Sequence, residues 1–451
     1  MTQRTLLITL LALAALVPSS ALAQTSYTLP NGLEVVLDPL PGHRSVAVVV
    51  SVEVGHRDQP EGWSGLAHMV EHLMFQGTRA APGEFLSRIE ALGGSQMNGV
   101  TSADTTSYTE VVPSEQLAHV LWLEADRFAT LPAAIDERVI EEQRRVIARE
   151  RTERELDEDV DPSIIHRLLY GEDHPYARSR ERGADVDAIG VAEVQWFFQR
   201  FYAPDHLTLV LSGGFDPAVA RAQIEATFGR LRRSGPPPAE RERMRRPRME
   251  QEHRLVVRSP RALDSLYVAW PTPAYGASGD AELDFVAREL THRLEERLVQ
   301  SGLVQAVSAR QASSHLVSDF GIRVLLDRRT DPPAVLAHID SVLGELERSG
   351  VAAPVVDAWR SSWTEWVQRG MEDPIDRAWA FARRPPAFPD GRWTIEAELA
   401  RYQAVEPDRL RRAVAALLPR DRRLVLAIVR DERAPEGGQV IPVDSTWQRV
   451  R

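Results

Sequence analysis

Two residue types are missing altogether: the 451-residue chain has no cysteine and no lysine. Without cysteine there is no disulfide, no thiolate nucleophile, no thiolate metal ligand and no lipid attached through sulfur. Without lysine there is no Schiff-base or amine-nucleophile chemistry, and all the fixed positive charge is arginine. Positive charge is itself in deficit, with 54 basic against 65 acidic side chains and a net charge of −11. That balance argues against a nucleic-acid binder that works by neutralising phosphates. Long apolar runs are lacking too: past the first residues nothing reaches the roughly 18 uncharged apolar residues of a membrane span. What is there is ordinary globular material, 43% apolar and 26% charged, which excludes disorder for most of the chain.

The first residues have the three-part layout of a secretory signal peptide. Met1–Arg4 is a short positive start, Leu6–Val17 an apolar run, and Ala21-Leu22-Ala23 a small-x-small cleavage site. Residues 1–23 are therefore expected to be removed, and the mature chain to be exported, periplasmic or secreted. Pro236-Pro237-Pro238 and the dense Arg and Glu around them mark residues 232–253 as an extended linker. It divides a lobe at 24–231 from a second at 254–451. Helices are expected at Leu66–Phe75, Pro82–Leu92, Leu117–Leu131, Asp136–Leu156 and Ala281–Gln300, and strands at Ser45–Val54, Thr105–Val112 and Ser265–Trp270. The strand Leu207–Ser212, which closes the first lobe, resembles Arg423–Val429, which closes the second. Strands mixed with long helices, without strict alternation, predict an α+β fold of two similar lobes, each a mostly antiparallel sheet packed by helices. A periplasmic binding protein would show the alternating βαβ pattern that is missing here.

The chemistry is concentrated in Gly65-Leu-Ala-His68-Met-Val-Glu71-His72-Leu-Met-Phe-Gln-Gly77-Thr78. On a helix His68 and His72, four apart, lie on one face, and two neutral imidazoles at that spacing can bind one zinc ion. Glu71 reaches the same region without taking a ligand place and has the chemistry of a general base toward water. The plain alternative is a core helix with two incidental histidines, yet H-x-x-E-H arises by chance in a chain of this length only roughly one time in a hundred. The pattern is the inverzincin signature. Zinc needs a third protein ligand, and the Glu-rich helix around Val139–Leu156 is the best source. Its charges also fit a solvated face, and spacing alone does not pick out Glu150.

The sequence resembles the pitrilysin/insulinase-like zinc metallopeptidases, in their half-length, processing-peptidase-like branch. The inverted motif is followed, 77 residues after His72, by Val146-Ile147-Ala148-Arg149-Glu150, which matches the family's glutamate-ligand segment. Leu29-Pro30-Asn31-Gly32-Leu33, His174-Pro175-Tyr176 and Phe201-Tyr202-Ala203-Pro204 follow in family order, and Asn98, Thr101, Asp104, Thr105 and Tyr108 match the strand on which substrate peptide is laid. The resemblance implies half of a four-lobe clamshell. It implies Zn2+ held by His68, His72 and Glu150, with Glu71 as catalytic base and Asn98, Thr101 and Tyr108 as substrate contacts. It also implies a homodimer, or a heterodimer with a related chain lacking the zinc motif, that hydrolyses short or unfolded peptides in an enclosed chamber. Two departures stand out. Gln143 occupies the place of a second family glutamate, seven residues before Glu150, and Leu298 and Gln305 replace an Arg and a Tyr that grip substrate. These departures favour the alternative of a non-catalytic zinc-binding scaffold or partner subunit; the intact Glu71 speaks against it.

Overall fold

The computed structural model describes residues 24–157, 162–178, 181–233, 247–260, 262–327, 330–388, 391–434 and 439–442. The expected signal segment, 1–23, and the proline run of the expected linker lie outside them. Among the described residues twelve strands form two six-stranded sheets. The first contains β1 (Thr25–Thr28), β2 (Glu34–Pro39), β3 (Ser45–Val52), β4 (Ser95–Thr101), β5 (Thr106–Pro113) and β6 (Leu207–Gly213). The second contains β7 (His253–Ser259), β8 (Ser265–Thr272), β9 (Val304–Ala312), β10 (Ser318–Leu326), β11 (Leu424–Arg430) and β12 (Gln439–Pro442). Their orders, β1-β2-β6-β3-β5-β4 and β12-β7-β11-β8-β10-β9, correspond strand for strand. In each, one parallel pair (β2 with β6, β7 with β11) sits in an otherwise antiparallel ladder. The expected α+β architecture of two like lobes is what the chain adopts. The one topological difference is the outer strand beside the parallel pair, which comes first in lobe one (β1) and last in lobe two (β12).

The β-branched runs are explained by burial on both faces. Along β3, Val46, Val48, Val50 and Val52 enter the main core of lobe one, while the alternate Ala47 and Val49 face a second cluster with Phe381 and Trp393. That second cluster is closed by the helix Pro374–Ala382, which comes from the other lobe. The exchange is reciprocal. Along β11, Val425 and Ala427 enter the lobe-two core, and Leu424, Leu426 and Ile428 pack against Leu169 and Tyr170 from lobe one. The sheets therefore divide between β6 and β7, but the covering helices do not. Each fully buried aliphatic side chain contributes roughly 1.5–3 kcal/mol, so the exchanged faces weld the lobes. Polar ties cross the same boundary: Arg377 forks onto Asp38 at 2.6 and 2.6 Å, and Asp104 accepts the His315 backbone N–H at 3.0 Å.

The helices that matter for the site are α1 (Leu66–Leu73), α2 (Phe85–Ala91), α3 (Leu117–Thr130), α4 (Glu137–Asp157), α5 (Pro162–Tyr170) and α6 (Gly183–Ala188). Three expectations need correction. The helix expected from Pro82 starts at Phe85, because Gly83 at φ 91° breaks the first turn. The helix expected to run to Gln300 ends at Leu294 and passes into a wider π turn at Glu295–Val299. The stretch Asn98–Tyr108, read as one strand, is a hairpin: Asn98 and Thr101 lie on β4, Asp104 and Thr105 in the turn, Tyr108 on β5. Among the described residues no helix is long and apolar enough to cross a membrane.

Candidate metal centre

Helix α1 is clamped at both ends by buried groups. At its start Gly65 adopts φ 95°, a conformation open to glycine, and a Cβ there would lie 2.6 Å from Val186 Cγ2. The buried Gln59 caps the same end, its Oε1 accepting the N–H of Gly65 and of Ala67, both at 3.0 Å. Just past its C-terminus the Met74 carbonyl accepts from Arg127 of α3 at 3.3 Å. Arg127 is itself fully enclosed, paired with Glu124 and lying 4.0 Å from the Phe85 ring centroid and 4.7 Å from that of Tyr108. Leu66, Met69, Val70 and Leu73 face the core. That leaves His68 and His72 on the half-buried face, held rigidly.

Helix α4 supplies the rest. Gln143, Glu150 and Arg154 are spaced by 7 and 4 residues, which puts them on one stripe of the helix. The Glu150 carboxylate lies 3.4 Å from His68 Nε2 and 3.3 Å from His72 Nε2, and the two Nε2 atoms are 3.1 Å apart. These three donors form the only group of its kind among the described residues. Ligands about 2.0–2.1 Å from a tetrahedral zinc lie about 3.3–3.4 Å from one another. The observed triangle therefore fits one face of such a tetrahedron, and the set of two imidazoles and one carboxylate suits zinc.

With Nε2 facing inward on both rings, Nδ1 carries the proton. His72 Nδ1 donates to Gln143 Oε1 at 3.2 Å, and His68 Nδ1 donates to Glu181 Oε2 at 3.0 Å. The Glu181 side chain is 2% exposed. Despite burial, the His68 hydrogen bond and the nearby Arg154 and Arg151 hold its carboxyl below the usual range. Glu181 went unnoticed in the sequence, where it sits in the run Arg178-Ser-Arg-Glu-Arg-Gly183 that reads as a solvated loop.

Glu71 is buried, and its Oε2 accepts from Thr101 Oγ1 of β4. Gly99 lets the strand come this close, since a Cβ there would lie 2.8 Å from Glu71 Oε1. Strand β4 is the outer strand of its sheet, so among the described residues one side of its backbone has no neighbouring strand. Together these residues line a cavity of about 610 Å³ that holds His68, Glu71, His72, Glu150 and the β4 stretch Met97–Thr101. Asn98 is exposed on it, with its Oδ1 accepting the Gly99 N–H at 3.0 Å. Thr101 faces Glu71. Tyr108 requires correction as a substrate contact: its ring is 1% exposed and its hydroxyl meets that of Tyr202 at 2.9 Å, so it serves packing beneath the site. In lobe two Leu298 is core, and Gln305 donates to Asp327 at 2.8 Å.

Residues 34–176 match the family described as insulinase (peptidase family M16), and residues 188–359 match its companion, the peptidase M16 inactive domain. The chain belongs to peptidase family M16. The first match contains α1, β4 and the donor triangle; the domain called inactive is the start of lobe two with the end of lobe one, and it carries none of the three ligands. Among M16 relatives, an uncharacterized zinc protease of Mycobacterium tuberculosis is 29% identical over 418 residues, 89% of this chain and 92% of the relative. The probable zinc protease PqqL of Escherichia coli is 23% identical over 77% of this chain and 39% of its own length. A protease from Helicobacter pylori superposes with a TM-score of 0.77 at 21% identity, covering 90% of this chain and 99% of that one. The first half of the E. coli periplasmic protease PqqL gives 0.70 at 20% identity, covering 91% and 92%. Pitrilysin gives 0.69 at 19% identity, and the chain corresponds to 48% of it.

Proposed function

We propose that this M16 chain is a zinc-dependent endopeptidase acting on short or unfolded peptides. The observation that carries the reading is the donor triangle of His68, His72 and Glu150 beside a buried carboxylate, Glu71, that has no ion-pair partner among the described residues. Zinc bound there would supply Lewis acidity, acidifying water and polarising a carbonyl. Glu71 takes the proton from the attacking water and later delivers it to the leaving amine. Thr101 holds Glu71 in place through its hydroxyl. The outer side of β4 offers backbone N–H and C=O groups to an extended peptide, a mode of binding that is largely indifferent to side chains. Asn98, at the cavity mouth, is within reach of that peptide.

Export to the periplasm is part of the same reading, supported by the signal-like leader and by the periplasmic relative PqqL. So is pairing with a second chain, alike or lacking the motif, to complete the enclosure; the twofold longer pitrilysin supports it. The test is cleavage of a quenched fluorescent peptide. Activity that is removed by a chelator, restored by zinc and lost in Glu71→Gln with zinc retained supports the enzyme. A chain that binds zinc yet cleaves no peptide, alone or with its native partner, would instead be a scaffold subunit.

A further inference from the structure

The two ligand histidines are held unequally. His72 leans on an amide, Gln143, and His68 on a carboxylate, Glu181. Carboxylate partners fix the ring and raise the donor strength of the opposite nitrogen; a neutral amide fixes the ring with less effect on its charge. Position 143 is where the family resemblance implies a carboxylate, so the negative charge at the outer nitrogens is not where the α4 pattern would put it.

Glu181 is built for the role. It comes from the segment just before α6, outside α4 altogether, and its side chain is nearly sealed from solvent. Its Oε2 lies 3.0 Å from His68 Nδ1 and 3.6 Å from Arg154, which shares the α4 stripe with Glu150. The segment is anchored to α1's entry: Ser64 Oγ accepts the Arg182 N–H at 2.8 Å and donates to Asp185 at 2.7 Å. The carboxylate is therefore fixed to the same end of α1 that Gln59 caps.

Resting on the zinc reading above, we infer that Glu181 is the positioning carboxylate of this metal centre, acting through His68 in place of the one missing at Gln143. Its contribution is to metal retention and to the charge of the metal shell, with no direct contact to substrate. Zinc affinity, measured by competition with a chromophoric chelator on the full chain, separates the possibilities. Glu181→Gln, nearly the same shape, is expected to weaken zinc binding about 10- to 100-fold, while the Tm of the zinc-free protein stays that of the parent. Gln143→Glu in the Glu181→Gln background is expected to recover part of the loss, and the cobalt(II)-substituted protein to show a shifted visible band on Glu181→Gln. Zinc affinity within twofold of the parent in Glu181→Gln overturns the inference while leaving the enzyme reading intact. A parent chain that binds no zinc overturns both. A lower Tm in the zinc-free Glu181→Gln protein, with no recovery by Gln143→Glu, assigns Glu181 to folding and overturns the inference.

Discussion

The two lobes carry the same sheet and put opposite things on the helix beside it. In lobe one that helix is α1; in lobe two, after the matching strand β8, it is Asp280–Leu294. Both bury acids. In lobe two three buried acids of the helix each have an arginine: Asp280 with Arg401 at 2.7 Å, Glu282 with Arg409 at 3.1 Å, Glu289 with Arg293 at 2.6 Å. In lobe one Glu71 has a hydroxyl, Thr101, and no ion pair among the described residues. A buried carboxylate that meets an arginine has its charge compensated in place; one that meets only a hydroxyl has no cation beside it. The outer strands differ in the same sense. The Ala309 N–H of β9 is taken by Thr291 of the neighbouring helix at 2.9 Å, whereas β4 turns its threonine on the carboxylate and leaves its outer side to the cavity. The two lobes share one sheet order, and it is the pairing of their buried polar groups that tells them apart.

The sharpest way to break this comparison is to neutralise one buried acid in each lobe. Glu71→Gln is expected to lower kcat for a fluorogenic peptide by about 10²- to 10⁴-fold with zinc content unchanged. Glu289→Gln, its buried counterpart with an arginine, is expected to leave kcat within twofold. Equal losses would show that both acids serve stability. Next in size is the removal of a cation from lobe two. Arg401 holds the fully buried Asp280 and, at 2.7 Å, Glu398. Arg401→Met strands both charges and is expected to cost about 3–5 kcal/mol in urea unfolding, since breaking a buried pair leaves an uncompensated charge.

Asp284, on the same lobe-two helix, tests the rule by exception. It lacks an ion pair among the described residues, accepts the Tyr402 hydroxyl at 2.5 Å, and lines an inter-lobe cavity of about 440 Å³ with Trp363 and Trp366. Burial pushes its carboxyl up to about 7. A folded-state value above the unfolded one of about 4 means that folding favours the protonated acid. Its stabilising effect is complete below about pH 4 and is lost as the pH rises through about 7. Asp284→Asn, neutral throughout, should therefore gain Tm relative to the parent as pH rises from about 5 to about 8. A constant difference between the two melting curves would show that the carboxyl is ionised in the fold across that range.

What could be read in advance follows from the range of the interaction. The strands β3, β6 and β11 announce themselves because burial on both faces favours runs of Val, Leu and Ile, and α1 because its apolar and histidine positions repeat along a helix. Glu150 belongs to a helix whose composition suits solvent; only family resemblance singled it out, and the contact that brings it to His68 joins residues 82 apart in the sequence. Glu181 left no trace, since a charge run with no periodicity looks the same whether it faces water or a metal ligand. Tyr108 was misplaced because two strands joined by the tight turn at Ser102–Thr105 read as one. The exchanged helices α5 and Pro374–Ala382 were also invisible, for an apolar stripe does not say which lobe's sheet it covers.

The smallest expected effect bears on the register of α4. Glu142 and Gln143 are neighbours, but one residue along a helix turns the side chain by about 100°. Glu142 points outward and pairs with Arg138 at 2.7 Å, with the two side chains 50% and 70% exposed. Exposed pairs of this kind are worth about 0.3–0.5 kcal/mol, so Glu142→Ala should shift Tm by no more than a degree or two and leave zinc affinity alone. Gln143→Ala removes the acceptor of His72 Nδ1 and should weaken zinc binding measurably, though less than loss of the Glu181 carboxylate. If Glu142→Ala proved the more damaging of the pair, α4 would be rotated by a residue from the register described. Glu150 would then leave the histidines as well, because all three side chains ride on the same helix.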